Sequence, residues 1–313
     1  RHPLTPYAPA LDRGALDLHL ILQERERGVP LLAVRRVVVE LADGRLPHRA
    51  VGDRVRWQPS EDEGTIEEVQ TRANLFYRQD ELRTKSFAAN IDQVLILIAA
   101  EPHFSDMQLM RSLIAAASQD IPAAIALNKS DLTESFALAR HRLANHARWE
   151  VPLFPMQIKP TPRGLPELLA WMEGKSTLVV GPSGSGKSSL INTLVPHAQS
   201  RTQDLSKALH SGKHTTTRTT WYWLDAAHHS ALIDSPGFQE FGLHHIEPTR
   251  LADCMPDLRR YLGGCKFYNC THLHEPGCAV LAQVEGEQGT GTISARRHRI
   301  YAQLFEELSQ QRW

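Results

Sequence analysis

The chain has 313 residues, 42% of them apolar, and 35 Lys and Arg offset 35 Asp and Glu. That length holds two or three domains of about 100–200 residues with buried cores, and the neutral balance argues against a globally basic nucleic-acid binder. The longest apolar run, Val94 to Ala100, is far short of the ~20 residues of a membrane-spanning helix, and no signal peptide is recognised.

Residues 1–34 open irregularly around Pro3, Pro6 and Pro9, and 16–23 reads as a short helix. From 35 the texture becomes β-branched and alternating. VRRVVVELADGRL, with Asp43 and Gly44 as a turn, is followed by VGDRVRW and GTIEEVQ, which predicts a small β-barrel over about 35–85. From 87 strands and helices alternate. IDQVLILIAA reads as a buried strand from its continuous apolar run, MQLMRSLIAAASQ as a helix and AAIALN as the next strand. ESFALARHRLANHA and LPELLAWM read as helices on either side of a strand in VPLFPM. STLVV enters a Gly-rich loop, KSSLINTLV leaves it as a helix, and WYWLD and SALID are two further strands. Such alternation predicts a parallel sheet with helices on both faces. After about 245 strand patterns cease. EPTRLADCMPDL reads as helical, a cysteine-rich loop follows, and SARRHRIYAQLFEELSQQ is amphipathic with Ile300, Leu304 and Leu308 on one stripe. The expected domains are therefore a β-barrel at 1–86, an α/β unit at 87–245 and a helical unit at 246–313.

The loop GPSGSGKSS (181–189) lies between a strand and a helix, as phosphate-binding loops do. Its glycines let backbone N–H groups approach phosphates, and the helix N-terminus adds positive potential. Gly181, Ser183, Gly184, Ser185, Gly186, Lys187, Ser188 and Ser189 are the expected nucleotide contacts. Lys187 would reach the β- and γ-phosphates, and Ser188 would ligate Mg²⁺. Asp234-Ser235-Pro236-Gly237 follows the strand SALID. There Asp234 can hold Mg²⁺ through water and the Gly237 amide can sense the γ-phosphate. Between these motifs, Gly212 to Thr217 supplies a hydroxyl-rich stretch in the place of a switch loop, with Thr216 as the candidate magnesium ligand.

Asn128, Lys129 and Asp131, in IALNKSDL, specify the base. A carboxylate at Asp131 can accept hydrogen bonds from guanine N1–H and the exocyclic amine, an edge that adenine lacks. Lys129 can lay its stem along the base plane. A site built on such bonds rejects an analogue lacking them by ~10⁴ or more. The motif order is unusual, because NKxD precedes the phosphate loop, the Thr stretch and DxxG. Joining the end of DxxG to the strand at 91–100 restores the ordinary GTPase order, so a circular permutation is expected. This changes connectivity while keeping the packed sheet.

Four cysteines occur, and Cys265, Cys270 and Cys278 cluster with His272 and His274. Three thiolates and one imidazole suit tetrahedral structural Zn²⁺ in a reducing compartment better than a disulfide framework. The spacing leaves His272 and His274 as competing ligands, and Cys254 reads as a core residue. Local basic stretches at 196–218 (Arg201, Lys207, Lys213, Arg218) and 259–300 (Arg259, Arg260, Lys266, Arg296, Arg297, Arg299) are candidate phosphate-backbone contacts or ordinary solvated faces.

NKSD (128–131), GPSGSGKSSLIN (181–192), SGKHTTTR (211–218), IDSPGFQEFGL (233–243) and CKFYNCTHLHEPGC (265–278) together resemble the ribosome small-subunit-dependent GTPase family of the RsgA/YjeQ type. The resemblance covers about 87–313 closely. It implies an N-terminal OB barrel, a circularly permuted P-loop GTPase domain and a C-terminal helical zinc domain with Cys265, Cys270, His272 and Cys278 as ligands. VGDRVRW and GTIEEV resemble later strands of that barrel, whereas the family's first OB strands and basic segment are not recognisable in 1–50. Neither is the Ser-Ala turn over the base, expected near MQIKPTPRG (156–164). Phe238 follows DxxG where many GTPases place a water-orienting Gln, and the resemblance points to His214 as the catalytic group instead. It further implies a cytoplasmic monomer that binds GTP with Mg²⁺, docks on the small ribosomal subunit and its RNA in late maturation, and leaves on hydrolysis. Two other classes stand beside this one: a metabolic P-loop kinase, which would need a second substrate-binding lid, and a zinc-dependent RNA-binding protein with a purely structural nucleotide site.

Overall fold

The computed structural model describes residues 21–22, 36–38, 50–59, 63–80, 83–144, 150–196, 219–237, 241–285 and 291–310. The N-terminal β region contains strands β1 (Ile21–Leu22), β2 (Arg36–Val38), β3 (Arg54–Pro59) and β4 (Glu63–Val69), in sheet order β1-β3-β4-β2. Ile21 and Leu22 pair parallel with Arg54 and Val55, so this part of the expected helix at 16–23 is strand. An isolated helical turn fixes several residues for one hydrogen bond, whereas an available strand edge satisfies the backbone directly. A hairpin of β5 (Leu75–Gln79) and β6 (Thr84–Ala89) follows.

The next six strands form one sheet. They are β7 (Gln93–Ala99), β8 (Ala123–Asn128), β9 (Leu153–Pro155), β10 (Ser176–Val180), β11 (Thr220–Trp223) and β12 (Ala231–Asp234), in order β11-β12-β10-β7-β8-β9. β11 runs antiparallel to β12, and the other pairs are parallel. Every residue of β7 and β10 is buried, as an apolar run covered on both faces requires. The period-2 pleat divides these residues between two cores. Leu95, Leu97, Ala124, Ala126 and Val179 meet α3 (Leu165–Met172) and α4 (Lys187–Leu194) on one face. On the other, Val94, Ile96, Ile98, Ile125 and Leu127 meet α1 (Asp106–Ala117). That second core continues without a break through Phe76 and Phe87 of the hairpin into Leu251, Leu258, Tyr301 and Leu304 of the C-terminal segment. Truncating a side chain such as Ile96 to Ala would cost about 2–5 kcal/mol through lost burial and the cavity left behind.

Counted from β10, the spatial order of the sheet is 2-3-1-4-5-6. The chain leaves β10 towards β11 and β12 on one side, whereas β7, β8 and β9 lie on the other. The β10–β7 boundary is thus a topological switch point, where open α/β sheets bind ligands beyond the strand C-termini. β7 to β9 precede β10 in the chain, so the connectivity is circularly permuted.

Two expected helices differ. α2 (Thr133–Arg142) stops before the end of ESFALARHRLANHA. The stretch 247–258 is two 3-10 turns, Pro248–Arg250 and Ala252–Cys254, and a short helix α5 (Pro256–Arg259). Met255 is extended at φ −117°, ψ 99° because the ring of Pro256 disfavours helical geometry in the residue before it. The last helix, α6 (Ala295–Gln310), buries Ile300, Leu304 and Leu308 as its stripe requires.

Candidate nucleotide site and metal centre

Three motif loops emerge at the C-terminal ends of strands in one sheet: DSPG after β12, the phosphate loop after the adjacent β10, and NKSD after β8, one strand further across β7. The phosphate loop presses on β7. A Cβ on Gly181 would lie 2.1 Å from the Leu97 carbonyl oxygen, so only glycine permits this approach. Gly186, at φ +105°, opens α4, and a Cβ there would lie 2.3 Å from the Asn128 amide nitrogen. Asn128 is buried and donates through Nδ2 to the Ser185 carbonyl at 2.9 Å. The two motifs that sequence order separates are therefore stapled together.

Lys187 is buried, and its Nζ donates to the carbonyls of Gly181 (2.7 Å) and Pro182 (3.2 Å). Burial lowers its pKa and the Asp234 carboxylate opposes the shift. A Cβ on Gly237 would sit 3.2 Å from Lys187 Nζ, which places the DSPG loop against the phosphate loop. Ser235 holds that loop by donating to the Val179 carbonyl at 2.7 Å. Ser185 is buried, with its hydroxyl on the Pro182 carbonyl at 2.9 Å, whereas Ser183, Gly184 and Ser188 are exposed. Ser189 is half-buried in the first turn of α4. Lys129 takes a left-handed φ of 69°, and Asp131 stands exposed beside it. Ser183 and Ser188 thus offer exposed hydroxyls on the loop that buries Lys187, and the exposed Asp131 follows the Asn128 that bonds to this loop. His214 and Thr216 lie outside the described residues, as does Phe238.

The stretch 156–164, where the sequence reading placed the turn over the base without assigning its residues, lies against the NKSD loop. Ser130 N–H donates to the Met156 carbonyl at 3.1 Å, and Asn128 Oδ1 accepts from Ile158 N–H at 3.2 Å. The segment after β9 thus closes on NKSD without a Ser-Ala pair. Backbone groups make these contacts, so no side-chain signature announces them. Pro102, from the loop between β7 and α1, borders the phosphate loop: a Cβ on Gly184 would lie 3.3 Å from it.

The C-terminal segment gathers Cys265, Cys270, His272 and Cys278, whose ligand atoms all lie within 4.8 Å of one another. Zn–S bonds of about 2.3 Å and a Zn–N bond of about 2.0–2.1 Å at tetrahedral angles put two sulfurs about 3.8 Å apart, and sulfur and nitrogen about 3.6 Å apart. Cys265 and Cys278 Sγ are 3.9 Å apart, and each lies 3.5 Å from His272 Nδ1. The donor set therefore fits a tetrahedral zinc. Burial, with the neighbouring thiols, pushes the Cys270 thiol up to about 12, and a bound cation would favour its thiolate. Burial also lowers the His272 pKa, which keeps the imidazole a neutral donor. His274 is exposed and outside the cluster. Burial opposes ionisation of Glu275, but hydrogen bonds from Thr271 and the His274 amide hold it well below the usual carboxylate range and shape the loop. Cys254 is buried away from the cluster, as a core residue should be.

Two members of the basic stretch at 259–300 are used internally. Arg297 is buried and makes a bidentate pair with Asp257, at 2.8 and 2.9 Å. Arg296 pairs with Asp106 at the start of α1.

A family model described as RsgA GTPase matches residues 69–244. The chain belongs to the RsgA GTPase family. The small ribosomal subunit biogenesis GTPase RsgA of Variovorax paradoxus (strain S110) is 60% identical over 271 residues, 86% of this chain and 85% of that one. Its counterpart from Paraburkholderia phymatum is 44% identical over 301 residues, 92% and 93% of the two chains. Among solved structures, YjeQ from Thermotoga maritima matches with a TM-score of 0.66 at 26% identity, covering 87% of this chain and 89% of that one. YloQ, a circularly permuted GTPase, matches with a TM-score of 0.63 at 25% identity, covering 87% and 84%. As an RsgA GTPase the chain hydrolyses GTP, which removes the kinase and the purely structural nucleotide site from the alternatives. Among the described residues, no helix is long and apolar enough to cross a membrane.

Proposed function

We propose that this GTPase binds the small ribosomal subunit and its RNA during late maturation and leaves when it hydrolyses GTP. The name that the relatives carry, small ribosomal subunit biogenesis GTPase, supports the partner. The observation that carries the chemistry is the Asn128–Ser185 bond, which holds a guanine-reading loop against a phosphate loop.

In this reading Asp131 takes the guanine edge and Lys129 covers the base. Backbone groups at Gly181, Ser183, Gly184, Ser185 and Gly186 cradle the phosphates, with Ser189 in the first turn of α4. Lys187 neutralises phosphate charge, Ser188 and Thr216 would hold Mg²⁺, and Asp234 would do so through water. The Gly237 amide reports the γ-phosphate. Phe238 cannot orient water by hydrogen bonding, so His214 does so from the switch segment. Cys265, Cys270, His272 and Cys278 hold one structural Zn²⁺. The units are an OB-like barrel at 1–86, the permuted GTPase at 87–245 and the zinc domain at 246–313 of a cytoplasmic monomer.

In this reading intrinsic turnover is slow, because hydrolysis depends on the partner that positions His214. GTP turnover should therefore rise on adding purified small subunits. An unchanged rate at saturating subunit would contradict the reading.

A further inference from the structure

Among the described residues, the exposed large hydrophobics are Leu138 (65%), Leu169 (40%), Phe267 (41%) and Tyr268 (103%). Leu138 and Leu169 stand singly on helices, which is ordinary for a soluble surface. Phe267 and Tyr268 are adjacent, and the fold presents them deliberately. Cys270 N–H donates to the Phe267 carbonyl at 3.3 Å, which closes the turn Phe267-Tyr268-Asn269-Cys270 with Tyr268 at its tip. Just before it, Lys266 N–H donates to the Gly277 carbonyl at 3.0 Å. The tip therefore springs from Cys265 on one side and Cys270 on the other, both members of the cluster that fits zinc.

We propose that Tyr268 is a stacking platform for an unpaired RNA base, with Phe267 and Lys266 completing the contact. A phenol ring offers a π-face to any base, and base–aromatic stacking is worth about 1–3 kcal/mol per base. Anchoring between two cluster residues fixes the backbone that carries the ring, so little backbone freedom is lost on contact. Charge favours RNA over an apolar protein groove. Lys266 Nζ lies 5.5 Å from the Phe267 ring centroid, and Arg259, Arg260 and Lys266 are all exposed around the loop in sequence. The loop's one carboxylate, Glu275, is turned inward onto backbone amides. An accepted base would thus meet cations and no exposed acid from this loop.

This inference rests on the ribosomal reading above and specifies one contact of it. The test compares the full-length parent, Tyr268→Ala and Tyr268→Phe, each checked for unchanged zinc content and unchanged intrinsic GTP turnover. Affinity for isolated small subunits is measured with a non-hydrolysable GTP analogue at fixed salt, followed by ultraviolet cross-linking of the complex. Tyr268→Ala should weaken binding about 5- to 150-fold, the range that 1–3 kcal/mol converts to. Tyr268→Phe should stay within about twofold, and the parent peptide containing Tyr268 should carry a cross-linked nucleotide. Parent-like binding by Tyr268→Ala overturns the inference and leaves the ribosomal reading standing. So does a loss in Tyr268→Phe as large as in Tyr268→Ala, which would mean a hydroxyl contact, or a cross-link from this peptide to a ribosomal protein. Absence of subunit binding by the parent overturns both.

Discussion

Asn128 donates its side-chain amide to the Ser185 carbonyl at 2.9 Å, joining the NKSD loop to the Gly-rich loop across 57 positions of sequence. Its Oδ1 accepts from Ile158 N–H on the opposite side. Asn128→Ala would leave a buried carbonyl and a buried amide unpaired, at about 1–3 kcal/mol each. GTP affinity should fall at least about tenfold and the melting temperature should drop. Asn128→Asp should behave no better, since a carboxylate facing the Ser185 carbonyl repels it. Calorimetric titration with GTP, beside thermal unfolding, checks both.

Asp131 is exposed, and in the proposed reading it takes the guanine edge. Asp131→Asn should weaken GTP binding and improve xanthosine triphosphate binding, because the new amide can donate to the xanthine oxygen. Equal GTP affinity in variant and parent would remove Asp131 from the base site.

The metal centre should hold one zinc per chain. Binding requires thiolates, so zinc affinity should fall and release should quicken as pH drops, with protons taken up by the freed thiols. Elemental analysis of reductant-protected protein, followed by chelator-detected release across pH, measures this. Cys270→Ser should lose zinc and loosen 246–313, seen as faster amide exchange there.

His245 packs against Tyr77 with ring centroids 4.3 Å apart and the planes tilted by 39°, and neither ring nitrogen has a hydrogen-bond partner among the described residues. Burial, helped by nearby His244, lowers its pKa from 6.5 to about 4. The folded state therefore favours the neutral ring. Its contribution is fully present above pH 6.5 and is lost as pH falls through the window down to about 4. His245→Phe should flatten the fall in unfolding free energy across that window. A slope identical to the parent's would show that other groups dominate it.

His214→Ala should leave GTP affinity within a few-fold while single-turnover cleavage on the small subunit collapses. Persistence at the parent rate would mean that another group orients the water.

The nucleotide strands were legible because each is a continuous apolar run punctuated by a motif. AAIALN, STLVV and LPELLAWM coincide with β8, β10 and α3. The permutation was legible because motif order is a property of the chain. Other features depend on partners that sequence does not pair. The β5–β6 hairpin has mostly half-exposed or exposed residues along β5 and the start of β6, so neither strand shows a clean alternation. Arg297 looks like a surface cation until Asp257, 40 positions away, is placed beside it. His272 and His274 differ only in which one the turn buries, and His272 reaches the thiols from a left-handed φ of 61°.

The central claim is that nucleotide state controls attachment to the small subunit, and one connection gives it a physical route. The chain leaves Gly237 for the C-terminal segment, and Arg111 of α1 ties the two by donating to the Phe241 carbonyl at 3.3 Å and to Glu307 of α6 at 3.0 Å. The most direct measurement is small-subunit affinity with a non-hydrolysable GTP analogue and with GDP, at one salt concentration. The account predicts tighter binding with the analogue, and linkage then requires the subunit to tighten analogue binding over GDP by the same factor. Equal affinity in the two nucleotide states would contradict it.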